Sequence, residues 1–169
     1  MGGEYLMAKL YINPGIDNYI TDLTKLFDES EEICKRSAYM GAKIVADRCR
    51  SEISNIPVES EKQKRANGGF ASGLTGRQKS GLLSGLGISH FRNDGGFINV
   101  KIGMDGYNST VTKKYPKGQP NAMIIRALES GTSFRSRNPV ITRATNAAKG
   151  AAEAAIQKQM DEEIKKRIH

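Results

Sequence analysis

Leu128-Glu129-Ser130-Gly131-Thr132, followed by Ser133-Phe134-Arg135-Ser136-Arg137-Asn138-Pro139, is the stretch on which the fold turns. Gly131 can take the positive φ that ends a helix, a geometry that strains any residue with a side chain. Asn138 before Pro139 marks a helix start, because asparagine caps free amides and proline at the first helical position forfeits no hydrogen bond. The stretch therefore reads as a helix, a stop, a short link carrying Arg135 and Arg137, and the start of an alanine-rich helix running to His169. Glu129, Gly131, Thr132, Asn138 and Pro139 are the expected structural corner.

In the last helix Ile141, Ala144, Ala148, Ala151, Ala155, Ile156, Met160, Ile164 and Ile168 form a drifting apolar stripe. About thirty residues at a rise of ~1.5 Å make a helix of ~45 Å, longer than a domain of this size is wide. Part of it is expected to project or to lie on another subunit. Before the corner, Asn121 caps a helix to Ser130 whose apolar side is Met123, Ile124, Ala127 and Leu128.

The clearest periodicity lies further back, from Ser30 to about Asn55, where Ile33, Cys34, Ala38, Gly41, Ile44, Val45, Cys49 and Ile53 share one helix face. Small residues at Ala38, Gly41, Ala42 and Ala46 admit a close neighbour. Asp28, Glu29, Glu31 and Glu32 place negative charge at the positive end of its dipole. Ahead of it, Leu6 to Ile12 reads as a strand ended by Asn13-Pro14-Gly15, and Asp17 caps a short helix through Phe27. That helix puts Ile16, Tyr19, Ile20, Leu23, Leu26 and Phe27 on one side.

Between the two long helices the chain changes character. Glu59 to Gly76 is polar, basic and glycine-rich, and reads as a mobile loop. Thr75 caps a short helix through Leu83. Leu86–Phe91 and Phe97–Met104 read as paired strands joined by Asn93-Asp94-Gly95-Gly96, and Thr110–Tyr115 as a third strand. The expected fold is a single α+β domain over residues 1–169. An antiparallel sheet of three to four strands packs against a long internal helix and a long C-terminal helix, with mobile loops near 57–75 and 105–120.

The net charge of +8 is unevenly placed: residues 1–60 carry −3, residues 61–119 carry +7, and residues 135–169 carry +4. Such a chain could contact itself head to tail or face a polyanion. Lys62, Lys64, Arg65, Arg77, Lys79, Lys113, Lys114, Lys117, Arg135 and Arg137 are the candidate contacts to DNA or to a neighbouring subunit. The plain alternative is solvated loops. No apolar run approaches the ~20 residues that span a bilayer, so no membrane partner is expected.

Chemistry finds no foothold. The two histidines, His90 and His169, stand apart, and no Cys/His cluster has metal spacing. Gly-x-Ser-x-Gly does not occur, and Glu129 is an isolated carboxylate. Gly73-Leu74-Thr75-Gly76-Arg77-Gln78-Lys79-Ser80 imitates a phosphate-cradling loop, but Gln78 replaces the second glycine and a polar loop, not a strand, precedes it. Cys34 and Cys49 are ~22 Å apart along one helix, too far to bridge, and are expected as buried thiols. No enzyme activity, cofactor or metal is expected.

The order of elements, with its short motifs, resembles the gene-product-ten family of phages of the HK type, the neck or tail-completion proteins of long-tailed bacteriophages. Thr75, Gly76, Arg77, Ser80 and Leu82 answer to that family's Thr-Gly-basic motif and the Ser-Ile/Leu pair after it. Leu128, Glu129, Gly131 and Thr132 match its Val-Glu-Phe-Gly-Thr, with Ser130 for the aromatic. Arg137, Pro139 and Ile141 match its Arg-Pro-Phe-Leu, with Asn138 inserted and Val140 for the phenylalanine. The resemblance implies a structural protein without catalysis, found in the virion and, during assembly, in the host cytoplasm. It also implies a ring of identical copies around the DNA channel, with phage head-closure and tail proteins as partners and non-specific DNA contact. The rival reading from the charge alone is a small basic nucleic-acid-binding protein acting as monomer or dimer.

Overall fold

The computed structural model describes residues 14–168. The strand expected over Leu6–Ile12 lies outside the described residues. The chain opens with α1 (Pro14–Asp28) and α2 (Ser30–Ser54). Helix α1 is already formed at Pro14, the first described residue, so Asp17 lies inside it and is not its cap. Helical hydrogen bonds continue through the junction: Glu29 N–H donates to Lys25 O at 3.0 Å, and Ile33 N–H to Glu29 O at 3.0 Å. Helix α1 thus leaves α2 through a bend at Glu29 and not through a loop.

The long helix α6 (Val140–Lys165) lies along α2. Its buried line is Val140, Ala144, Ala148 and Ala152, four residues apart, so Ala152 takes the place expected for Ala151. On α2 the facing line includes Ile33, Ser37, Gly41, Ala46, Cys49 and Ile53. Small side chains on both helices let the backbones approach. A Cβ built on Gly41 would stand 2.5 Å from Cδ1 of Ile156, closer than two carbons can come. Buried Ser37 turns its hydroxyl onto Ile33 O at 2.8 Å, which removes the need for a partner on α6.

The expectation that part of α6 projects free is not met, because its far end is tied to the start of α2. Glu163, 3% exposed, meets Arg36 at 3.3 Å, Lys166 at 3.3 Å and Arg167 at 2.8 Å. Arg167 also reaches Glu29 beside the bend. A carboxylate so surrounded holds its charge. The hydrogen bond from Arg167 draws its pKa down, burial pushes the other way, and the Lys166 and Arg36 charges add to the lowering.

The core sits at the other end of this helix pair. Ile53 and Ile56 of α2 and its exit meet Leu74, Leu82, Ile124, Leu128 and Val140. Leu82 belongs to α4 (Gly76–Gly85), and Ile124 and Leu128 to α5 (Asn121–Ser130). Thr75 caps α4 as expected, and the contact is reciprocal. The Gln78 amide donates to the Thr75 hydroxyl at 3.2 Å, and the Thr75 amide to Gln78 Oε1 at 3.3 Å. Gln78, the residue that spoils the phosphate-loop pattern, is therefore half of a capping box. The segment expected as a mobile loop near 57–75 holds a further short helix, α3 (Glu61–Ala66), capped in the same way by Ser60 and Gln63.

The fold is α+β, but the sheet differs from the three to four strands expected. Among the described residues it is three separate two-stranded antiparallel ladders. Strand β1 (Leu86–Ile88) pairs with β4 (Ile102–Met104), and β2 (Arg92–Asp94) with β3 (Phe97–Asn99). Ile88 faces Ile102 while Arg92 faces Asn99, so three residues on one arm oppose two on the other. Such a bulge interrupts the ladder. Side chains take over the freed amides: Lys101 N–H donates to the Ser89 hydroxyl at 2.8 Å and Phe91 N–H to the Tyr39 hydroxyl at 2.9 Å. Gly95 and Gly96, both at positive φ, make the tight turn of this hairpin.

Thr110–Tyr115 is not a strand. Thr112 and Tyr115 exchange backbone hydrogen bonds in a tight turn, at 3.2 and 3.0 Å. The third ladder forms on either side of it, between β5 (Tyr107–Asn108) and β6 (Gln119–Pro120). Gly118, at φ +107, closes this loop against Asn108 O, where a Cβ would stand at 2.2 Å. Strand propensity yields here to the turn chemistry around it. Asn121 is also not a cap: Pro120 holds the N-cap position, and Asn121 is buried in the first turn of α5. Its amide nitrogen donates to Gly81 O at 2.9 Å and Asp105 O at 2.7 Å, joining three segments.

Candidate assembly interface

The corner between α5 and α6 is built by the residues singled out in the sequence, in partly different roles. Gly131 has φ 72 and ψ 167, a mirror-extended conformation that only glycine holds without strain. A Cβ there would crowd Arg137, with Cβ to Cβ at 3.2 Å. The link then folds on itself: Thr132 N–H donates to Arg135 O at 3.0 Å and Arg135 N–H to Thr132 O at 3.3 Å. Pro139 (φ −76, ψ 66) centres an inverse γ-turn, closed by Val140 N–H to Asn138 O at 2.8 Å.

Asn138 does not cap α6. Its side-chain oxygen accepts from Arg143, and the cap comes from Glu129, a residue expected to stand alone. The Glu129 carboxylate accepts from Ile141 N–H at 2.6 Å, Thr142 N–H at 3.3 Å and the Thr142 hydroxyl at 2.7 Å. Its backbone oxygen accepts from Arg137 Nε at 3.1 Å. A negative group at the free amides of a helix start satisfies them and meets the positive end of the dipole.

The candidate basic residues divide by use. Arg135 is half-buried and bound to the carbonyl of Gly73 and to Gln78 Oε1. Burial pushes its guanidinium pKa down, and the nearby Glu59 pulls it up. Glu59 in turn accepts from Ser72 N–H at 3.1 Å, Gly73 N–H at 3.3 Å and the Ser72 hydroxyl at 3.0 Å. Burial pushes its carboxyl up, but those hydrogen bonds and the Arg135 charge together hold it below the usual range. Lys79 donates to Ile56 O at 2.9 Å, closing the C-terminal end of α2. Arg137 holds the corner.

Lys62, Arg65, Arg77, Lys113, Lys114 and Lys117 are exposed. Lys114 lies 5.5 Å from the centre of the Tyr115 ring. The structure brings Lys64 and Arg135 to one polar cleft of about 150 Å³, which Thr110, Thr112 and Gln119 also line. The two basic stretches that the sequence placed far apart therefore border a common cleft, though Glu59 and Glu61 line it too.

No family model, curated protein or solved structure matches this chain.

Among the described residues no group of three His, Cys, Asp or Glu side chains could hold a metal ion, and no helix is long and apolar enough to cross a membrane. Cys49 is buried as expected, whereas Cys34 is half-buried; neither is bridged. Burial raises the Cys49 thiol, and Glu129 and Glu52 raise it further, which keeps it protonated.

Sequence reasoning missed two exposed apolar features. Phe134 is 71% exposed at the tip of the corner link, and its carbonyl accepts from Ala71 N–H beside the exposed Phe70. On α1, Ile20, Leu23 and Phe27 are exposed, with Phe27 at 80%. The apolar face of α1 was legible, but not the exposure of Ile20, Leu23 and Phe27 on it.

Proposed function

We propose that this chain is a structural protein of a phage or prophage that joins head to tail, assembling as a ring around the DNA channel. One observation carries the reading. Glu129, Gly131, Arg137 and Pro139, four of the residues that match the family's motifs, build one corner, where the Glu129 carboxylate caps α6, its carbonyl accepts from Arg137 Nε, and a Cβ at Gly131 would crowd Arg137. The corner sets the direction of α6 and therefore the whole α2–α6 arm.

In this reading the partners are further copies of the chain and the head-closure and tail proteins on either side, with the exposed lysines turned to DNA or to a neighbouring copy. The alternative, a monomeric or dimeric nucleic-acid-binding protein, draws support from the exposed basic residues on α3 and in the Thr112–Tyr115 turn. Sedimentation velocity of the full chain, with and without duplex DNA over a series of salt concentrations, separates the two. The head-to-tail reading expects self-association that does not need DNA. A monomer that binds duplex DNA tightly, with affinity falling steeply as salt rises, would sink it.

A further inference from the structure

Three places in the chain join Asn or Asp to glycine: Asn67-Gly68, Asp94-Gly95 and Asp105-Gly106. At such a pair no side chain shields the glycine nitrogen, and a five-membered ring can form between that nitrogen and the carbonyl carbon of the preceding side chain. Folded geometry decides which pair is poised to react. The Gly68 amide donates to Arg65 O at 3.1 Å, and the Asn67 side chain donates to Glu59. The Asp94 carboxylate accepts from the Asn99 side chain at 3.2 Å.

Asp105 differs in three ways. Its carboxylate lies against the next amide, with Gly106 N 2.7 Å from Asp105 Oδ1, and the carboxyl carbon stands one bond of about 1.2 Å behind that oxygen. The two reacting atoms are held close in advance. Second, the carbonyl of the same peptide unit, Asp105 O, accepts from the buried side-chain amide of Asn121 at 2.7 Å. When the Gly106 nitrogen gives up its proton, negative charge spreads onto that oxygen, where the Asn121 donor is already in place. Asn121 N–H also holds Gly106 O at 3.0 Å, with Gly106 at φ +72. Third, Asp105 and Gly106 are exposed and border an open cleft of about 310 Å³, lined also by Ser84 and Tyr107, which admits water.

We propose that Asp105-Gly106 is a site of spontaneous backbone modification, at which Asp105 isomerises to isoaspartate through a cyclic imide. The Gly106 nitrogen bonds to Cγ of Asp105, and the carboxyl hydroxyl leaves as water with the proton lost from the amide. Water then adds to one of the two ring carbonyls. Addition at Cγ breaks the new bond and restores aspartate. Addition at the backbone carbonyl carbon breaks the original bond to Gly106 and leaves the chain running through Cβ and Cγ. The water released in the first step is regained in the second, and no other reactant is consumed.

The product alters a junction of the fold. Asp105 N–H donates to Gly85 O at 2.8 Å while Asp105 O accepts from Asn121, so this residue ties the end of α4 to the start of α5. An isoaspartyl link puts one more carbon between that amide and the next carbonyl, and the two bonds cannot both keep their geometry. The folded chain therefore loosens at this point with age. The inference goes beyond the head-to-tail reading and does not depend on it.

Peptide mapping tests it. The full chain is incubated at physiological temperature in mildly acidic buffer, both folded and unfolded in guanidinium chloride, and isoaspartate is quantified at Asp105 and Asp94. In the folded chain it is expected to build up at Asp105 several-fold faster than at Asp94, and faster than at Asp105 of the unfolded chain. Asp105→Glu, which cannot close the five-membered ring, should show no backbone change at that position. After the same incubation it should keep its melting temperature while that of the wild type falls. Folding that slows the reaction at Asp105, or a rate there no greater than at Asp94, would overturn the proposal. Aged wild type that carries isoaspartate at this position and melts like the fresh chain would overturn the loosening.

Discussion

Glu129 Oε1 accepts the backbone amide of Ile141 at 2.6 Å, so the last turn of α5 supplies the N-cap of α6 across the link that separates them. One carboxylate thus couples the end of one helix to the start of the next. Glu129→Ala leaves the amides of Ile141 and Thr142 to solvent and is expected to cost about 1–2 kcal/mol. Glu129→Gln keeps an acceptor and should cost less. Urea unfolding of both variants checks the order, and equal stability of wild type and Glu129→Ala would refute the cap.

Gly41 and Ile156 set how closely α2 and α6 approach. Gly41→Leu introduces a side chain where Ile156 already lies, with an expected loss of about 1–3 kcal/mol. Because the obstacle is the far end of a side chain, Ile156→Ala in the same molecule should recover part of that loss. A double-mutant cycle in chemical denaturation measures the coupling, and simple additivity would show that the helices do not meet there.

Asn121 donates to two carbonyls, Gly81 O and Asp105 O, inside the protein. Asn121→Leu strands both acceptors, and about 1–3 kcal/mol for each is at stake. Asn121→Asp should be worse, since a buried carboxylate would face two oxygens it cannot bond when ionised. Thermal melting of the Asp variant should therefore improve as the pH is lowered toward the carboxyl pKa, the reverse of wild type.

Wild-type stability in acid should depend on Glu163 and Glu59, whose carboxyls are held below their ordinary range in the folded chain. The unfolded chain binds protons first as the pH falls. The stabilisation is therefore whole above the ordinary carboxylate pKa and disappears as the pH drops through the lower folded values. Glu163→Gln should lose stability at neutral pH and show a shallower fall in melting temperature between pH 5 and pH 2, taken as a range of about 3 units around the reference carboxylate values.

The basic residues should separate by what their removal changes. Arg135→Ala releases the Gly73 carbonyl and Gln78, and is expected to lower the melting temperature. Replacing exposed Lys113, Lys114 and Lys117 by alanine should leave the melting temperature unchanged. If DNA is the partner of that turn, the slope of log affinity against log salt becomes shallower by about 0.9 for each phosphate that a removed lysine had neutralised.

The α2 stripe, the Thr75 cap, the Gly95-Gly96 turn and the positive φ at Gly131 were all legible, because each depends on residues a few positions apart. Other expectations failed where a distant group intervened. The ladder from Leu86 to Met104 breaks at a bulge, and Tyr39, from distant α2, takes up the freed amide of Phe91. Asn138 lost the cap of α6 to Glu129, and Arg135, a sequence candidate for DNA, is held by Gly73 and Gln78.

The sequence by itself determined that this is an α+β chain with two long helices, a polar basic middle and a glycine-governed corner before the last helix. Local spacing and turn chemistry suffice for that. Only the tertiary structure decided that α6 lies along α2 to its end, that the corner is locked by the carboxylate of Glu129 rather than by Asn138 beside the proline, and that Ile20, Leu23 and Phe27 of α1 are exposed. Burial and hydrogen-bond satisfaction depend on what the rest of the chain brings near, and residues far apart in sequence settle both.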